Sequence, residues 1–208
     1  MPHNQKPPEV VLDQLKEGNR RFLQGNSLQS ADSSLRKLKN FAKTGQLPKA
    51  IILCCSDSRA PVEMIFDQDI GDLFVIRVAG NIVAPSLVGS VEFAAATFGT
   101  RLVVVMGHTQ CGAIKATIDY IEEPSALASE NIHAIVSRIK PHVYAITRNK
   151  GLSREEKITQ AVHANVLASV DQLGHSSQLI ENYVTQDKIK IVGAVLDLDT
   201  GAVDFMSE

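Results

Sequence analysis

Two apolar runs constrain this chain more than anything else in it. Ala50-Ile51-Ile52-Leu53-Cys54 leads into Cys55-Ser56-Asp57-Ser58-Arg59, and Leu102-Val103-Val104-Val105-Met106 leads into Gly107-His108-Thr109-Gln110-Cys111-Gly112. Neither run alternates apolar with polar, so each reads as a strand buried on both faces. Such strands belong to parallel sheets covered by helices. Sheets of that kind gather their chemistry beyond the carboxyl ends of the strands. Here both ends carry it: a thiol, a carboxylate and a guanidinium after the first run, an imidazole and a thiol after the second.

The flanking chain agrees. Residues 1–8 are polar and proline-rich, a loose arm containing His3. Val11, Leu15, Phe22 and Leu23 share a helical face between Pro8 and Gln24, closed by Gly25-Asn26. Asp32-Ser33-Ser34 is the expected cap of a second helix with Leu35, Leu38 and Phe41, ending near Gly45. The α/β part begins near Ala50, with its first strand running to Cys55. Pro61 opens a short helix through Phe66, Leu73–Val78 is a second strand, and Pro85 starts a helix through Phe98. The third strand covers Leu102–Met106, and a helix follows Gly112 or Ala113. Between Pro124 and Gln186 the pattern is helical, with breaks expected at Pro141 and at Asn149-Lys150-Gly151. Ser153 and Glu156 form a capping box. A strand from Lys188 to Leu196 and a short edge strand at Val203–Phe205 complete the chain. The fold class is therefore α/β, with a mainly parallel central sheet flanked by helices. The 208 residues are expected to form a single domain, with a helical arm at 1–45 and a core at 46–208.

Bulk properties exclude several functions. A net charge of −2 leaves no electrostatic footprint for nucleic acid or an anionic membrane. No apolar run is long enough to span a membrane. The N-terminus lacks a secretory apolar core, so a cytoplasmic setting is expected. Three cysteines, an odd number with two adjacent, fit metal or catalytic use better than a disulfide framework.

Cys55, His108 and Cys111 make a Cys₂His set, and Asp57 can supply a fourth ligand. Tetrahedral zinc takes these donor types, closed in structural sites and open to water in catalytic ones. Arg59 can instead hold Asp57 in a bidentate pair. If Asp57 binds zinc the site is closed; if it pairs with Arg59, water can enter. Because thiolates donate more charge than imidazoles, activity is expected to rise on the alkaline side of neutral. Cys111 precedes a helix whose amides favour its thiolate. Other readings are weaker. Cys54 is a small buried hydrophobe. A C-x-x-C redox motif is absent, and Arg59 stands at the wrong spacing for a Cys-x₅-Arg phosphate loop. His133, His142, His163 and His175 lie in helical stretches away from cysteine and read as surface or packing residues.

Cys55-Ser56-Asp57-Ser58-Arg59 and Gly107-His108-Thr109-Gln110-Cys111-Gly112 resemble the two signature segments of the β-class carbonic anhydrases. The likeness continues through Phe66-Asp67-Gln68, Gly71–Arg77, Ala79-Gly80-Asn81 and Gly89–Phe93, and is strongest over 46–120. It implies reversible hydration of carbon dioxide to bicarbonate and a proton, by attack of zinc hydroxide. One Zn²⁺ per chain would sit on Cys55, His108 and Cys111. Asp57 and Arg59 would form the catalytic dyad: Arg59 holds Asp57 off the metal, and Asp57 orients the hydroxide. Gln46 matches a glutamine that reaches a neighbouring subunit's substrate. Phe74 and Phe93 match an apolar substrate pocket, and Gly112 joins them as a substrate-side residue. The family implies a homodimer or dimer of dimers, with the N-terminal helical arm packed on a partner subunit. Phe93 stands where many members have Tyr, and Val78 where some have Asn. One subgroup inhibits itself with bicarbonate bound by Trp, Arg and Tyr. Arg77 matches that Arg, but Ile52 stands in the Trp position and the chain has no Trp, so that inhibition is not expected. Two alternatives remain: a carbonyl sulfide or carbon disulfide hydrolase on the same fold, and a non-catalytic zinc-binding protein closed by Asp57. Arg59 argues against the second, because a structural site needs no competitor for its carboxylate.

Overall fold

A strand that hides both faces needs a layer on each side, and the chain supplies them. The computed structural model describes residues 5–124 and 129–206; His3 and Pro124's successors through 128 lie outside them. Helices α1 (Pro8–Leu23) and α2 (Ala31–Thr44) precede β1 (Ala50–Cys54). Then come α3 (Val62–Ile65), β2 (Leu73–Arg77), a 3₁₀ turn at Ala79–Asn81, α4 (Pro85–Phe98) and β3 (Leu102–His108). Helices α5 (Gly112–Glu122), α6 (Glu130–Arg148), α7 (Arg154–Gly174) and α8 (Gln178–Thr185) lead to β4 (Lys190–Leu196) and β5 (Val203–Phe205). The sheet order is β2-β1-β3-β4-β5. Strands β1 to β4 are parallel, and β5 pairs antiparallel to β4.

The chain leaves β1 toward β2 and returns on the other side as β3. The β1/β3 carboxyl ends therefore form a switch point, where such sheets open a crevice. Cys54 is in register with Met106, so Cys55 and His108 emerge side by side. Alternate residues of each strand serve two cores. Ile52, Cys54, Val104 and Met106 pack with Val11 and Leu15 of α1 and with Phe66. Ile51, Leu53, Val103 and Val105 pack with Ala94 of α4, Leu173 of α7 and Ile180 of α8.

Several boundaries differ from expectation. Strand β3 runs to His108, not Met106, because β4 continues the ladder with Val195 opposite Gly107 and Leu196 opposite His108. Strands β1 and β2 end one residue early, at Cys54 and Arg77, and β4 begins at Lys190. Pro141 does not break α6. It lies on the exposed face, and the carbonyl it leaves without a donor belongs to exposed Ser137, while Val136, Ile139 and Val143 on the other face are buried. The cap of α2 is Ser30, in a reciprocal box with Ser33, rather than Asp32-Ser33-Ser34. The capping box of Ser153 and Glu156 forms as expected.

The two N-terminal helices behave differently. Helix α1 docks on its own sheet so closely that a Cβ at Gly18 would lie 1.8 Å from the Phe66 carbonyl oxygen. Asn19 ties it further, donating to Ile65 O and Gly201 O at 3.2 and 2.9 Å and accepting from Val203 N. Helix α2 buries none of its residues, and Leu35 and Leu38 are half exposed. Among the described residues, no helix is long and apolar enough to cross a membrane.

Candidate metal centre

The loop after β1 turns tightly, with Ala60 N donating to Asp57 O at 3.1 Å. Arg77, in register with Cys54 on β2, holds this loop from the side. Its Nε donates to Cys55 O at 3.2 Å, and its Nη2 to Asp57 O and Ala60 O at 2.7 and 3.1 Å. A planar guanidinium suits several carbonyls at once. The resemblance matched Arg77 only to an arginine of a bicarbonate site not expected in this chain, and sequence reasoning missed this role. An arginine at the end of an edge strand, next to a strand feeding a polar loop, was the available signal.

The sulfurs of Cys55 and Cys111 and a ring nitrogen of His108 lie within 4.8 Å of one another, and all three residues are buried. Tetrahedral zinc at about 2.3 Å from sulfur places two thiolates about 3.8 Å apart, a spacing this cluster accommodates. His108 Nδ1 faces Thr109 O at 2.8 Å, which puts the ring proton there. Its Nε2 is left as a lone-pair donor, buried and without a hydrogen-bond partner. That is the pairing seen for metal-ligating histidines generally. Burial by itself lowers the His108 pKa, but the Cys55 sulfur, the Thr109 carbonyl and Asp57 outweigh it and raise the value.

The two thiols interact strongly. A hydrogen bond from Cys111, aided by His108 and the amides of Gly80 and Asp57, lowers Cys55 to about 4 against its burial. Cys111 moves the other way, raised by Cys55 and by burial, although the Ile114 and Ala113 amides at the start of α5 favour its thiolate as the helix N-terminus predicts. Two buried sulfurs and an imidazole nitrogen without a hydrogen-bond partner make a donor set that a divalent cation fits. Cys54 points into the opposite core, fully buried, and burial pushes its thiol up to about 12. It is the inert hydrophobe expected.

Asp57 and Arg59 are paired. Arg59 Nε and Nη2 reach Asp57 Oδ1 and Oδ2 at 2.9 and 2.8 Å, and the Arg59 amide adds a bond at 2.9 Å. These bonds hold the carboxyl well below the usual range, with a further contribution from His108. Asp57 Oδ2 is 3.7 Å from His108 Nε2, so the carboxylate borders the cluster while bound to Arg59. Gly112, exposed, opens α5 directly after Cys111.

The remaining site candidates are elsewhere in the chain. Phe74 is in register with Ile51, about 10 Å back along the strand from the site end at 3.3 Å per residue. It packs with Phe93 and Phe98, ring centroids 6.3 and 6.1 Å away, and Phe93 is 53% exposed. Gln46 is exposed between α2 and β1. His142 and His175 bond to Gln172 and to the Asp171 carbonyl, and His133 meets Tyr120 edge to face, as packing and surface residues do.

A family model described as carbonic anhydrase matches residues 50–203. A carbonic anhydrase of Mycolicibacterium smegmatis is 34% identical over 200 residues, covering 96% of this chain and 94% of that protein. Carbonic anhydrase 2 of Mycobacterium tuberculosis is 36% identical over 194 residues, covering 93% and 90%. Among solved structures, the β-carbonic anhydrase CcaA superposes with a TM-score of 0.71 at 25% identity, covering 95% of this chain and all of that one. A β-carbonic anhydrase from Sordaria macrospora, described as tetrameric, gives 0.73 at 19% identity, covering 96% and 98%.

Proposed function

The chain belongs to the β-class carbonic anhydrases, enzymes of carbon dioxide and bicarbonate, and from this we propose that Cys55, His108 and Cys111 hold one zinc ion while Asp57 and Arg59 order the reacting water. The observation that carries the reading is the buried, unpartnered His108 Nε2 facing two sulfurs, with the neighbouring carboxylate already engaged by Arg59. A zinc ion held by Cys55, His108 and Cys111 would supply a Lewis acid that brings the pKa of a bound water down toward about 7, less far with two thiolates than with three imidazoles.

The protein's own groups do the rest. Arg59 keeps both Asp57 oxygens occupied by its fork, so the carboxylate stays out of the fourth ligand position. Asp57 remains ionised at working pH. It accepts a hydrogen bond from the attacking water and turns its lone pair toward the substrate carbon. Arg77 keeps the peptide planes of the loop in place, and the exposed amide end of α5 at Gly112 flanks the substrate. Gln46, Phe74 and Phe93 lie away from their own cluster, and we read them as completing the site of a partner subunit. Half-exposed α2 belongs to the same assembly, a homodimer or a pair of dimers.

Carbon dioxide hydration by stopped flow from pH 6.5 to 9, with zinc measured on the same sample, tests this. The expected result is about one zinc per chain and a rate rising with pH. Stoichiometric zinc without hydration at any pH would overturn it, and turnover of carbonyl sulfide by that sample would establish the hydrolase alternative.

A further inference from the structure

Gly80 sits in the 3₁₀ turn between β2 and α4 with φ 71° and ψ 18°. A Cβ there would meet Ile139 Cδ1 at 2.7 Å and Ala113 Cβ at 3.0 Å, so both conformation and space demand glycine. In this conformation its amide donates to Cys55 Sγ at 3.4 Å, and its carbonyl accepts from Asn165 Nδ2 at 2.9 Å.

Asn165 is an unusual occupant of its position. It is 2% exposed in the middle of α7, on a face shared with Ala161, Val162 and Val166, which all pack into the core that contains Cys55 and Cys111. Asparagine is a poor helix former, and a buried amide is costly unless bonded. The adjacent Asn81 does not share the task, because its Nδ2 is buried without a partner. Asn165 therefore supplies a side-chain tie from α7 to the turn.

We propose that Asn165 is a positioning residue for the metal centre: by holding the Gly80 carbonyl, it keeps the Gly80 amide on the Cys55 sulfur, tempering that thiolate as a donor and fixing its direction. This rests on Cys55 being a metal ligand. Hydrogen bonds to ligating groups govern both affinity and ligand electronics. An N–H···S bond lowers the energy of the sulfur lone pair, so its loss shifts sulfur-to-metal charge transfer to longer wavelength.

The test compares the full chain with Asn165→Leu, which keeps the branched shape with somewhat more bulk and removes the donor, and with Thr147→Val as a control. Thr147 is equally buried, but its hydroxyl bonds the Val143 carbonyl within α6. Zinc affinity is read by chelator competition, and the charge-transfer band on the Co²⁺-substituted protein. Losing the fixed direction of Cys55 outweighs the stronger donation of the freed sulfur, so Asn165→Leu is expected to bind zinc about 10–100-fold more weakly with the band moved to the red. Thr147→Val is expected to leave both unchanged even if it melts earlier. Asn165→Ala replaces Asn165→Leu if the latter does not fold, with the same expectation. Unchanged affinity and band in a folded Asn165 variant would overturn the inference alone. Failure of the unsubstituted chain to bind zinc or Co²⁺ would overturn the metal reading and the inference with it.

Discussion

Asp57 and Asp67 are each paired with an arginine, and they are built for opposite ends. Asp57 meets Arg59, two residues away, on a loop where the arginine side chain is 56% exposed. Asp67 meets Arg21 across 46 positions, with its own side chain 1% exposed, and also accepts from Ser27 Oγ and Leu28 N. Asp69 repeats the second pattern with Ser34 and Lys37 of α2. All three carboxyls are lowered. For Asp57 the leading cause is Arg59; for Asp67 and Asp69 burial opposes the shift, and several donors together overcome it. An acceptor with one exposed tether can change partners at little cost. One enclosed by donors from separate elements cannot. The first arrangement suits a carboxylate that works beside a metal, the second a clamp that joins α1, the following loop and α2 to the body.

Arg59→Ala should make the largest difference at the site end. Hydration kcat/KM is expected to fall about 10²–10³-fold, the scale of removing one oriented polar group from an active site, while zinc content and the urea midpoint stay as they were, because an exposed pair adds little stability. A loss of zinc with the rate would refute the division drawn between holding and orienting.

Asp67→Ala should show the inverse. Stability is expected to drop by about 2–3 kcal/mol, toward the lower end for breaking a buried pair since Arg21 keeps some solvent. The kcat of the folded fraction should not change. Equal stability in this variant and in Asp57→Ala would erase the comparison.

Lys37→Met removes one half-exposed tether of α2 and should cost about 0.5 kcal/mol, with faster protease cleavage between α1 and α2 as the more sensitive reading. Unchanged cleavage would show that Asp69 holds α2 through Ser34 alone.

The smallest effect is on the acid limb of stability. Asp67 and Asp69 have folded pKa values below the unfolded value of about 3.9. Their contribution is therefore complete above that value and is lost as pH falls through the folded pKa. Urea midpoints from pH 5 downward should fall less steeply in Asp67→Asn than in the unsubstituted chain. Parallel curves would mean that other groups set the acid limit.

Much of the site was legible because it depends on residue type at strand ends. Cys55, Asp57, Arg59, His108 and Cys111 follow two apolar runs that register places side by side. The misplaced end of β3 was not legible, because Gly107 and His108 are in strand only through β4, far along the chain. Pro141 was misread because local propensity says break, while burial of Val136, Ile139 and Val143 says continue. The loop-holding bonds of Arg77 and the bond of Asn165 were not legible for a similar reason: each reaches a backbone atom of a distant segment, and no spacing rule encodes that.

The amino-acid sequence by itself determined the α/β class, the parallel strands and the Cys55, His108 and Cys111 donor set of the candidate site, since each follows from hydrophobic runs, turn residues and donor chemistry that are local properties of the chain. Only the tertiary structure decided which partner Asp57 holds, that His108 turns Nδ1 to the Thr109 carbonyl and leaves Nε2 without a hydrogen bond, and that α1 lies on its own sheet while α2 does not. Those outcomes depend on which groups meet after the sheet closes. Hydrogen bonds and buried charges are settled by distances of a few tenths of an ångström between segments remote in sequence, and those distances exist only in the folded protein.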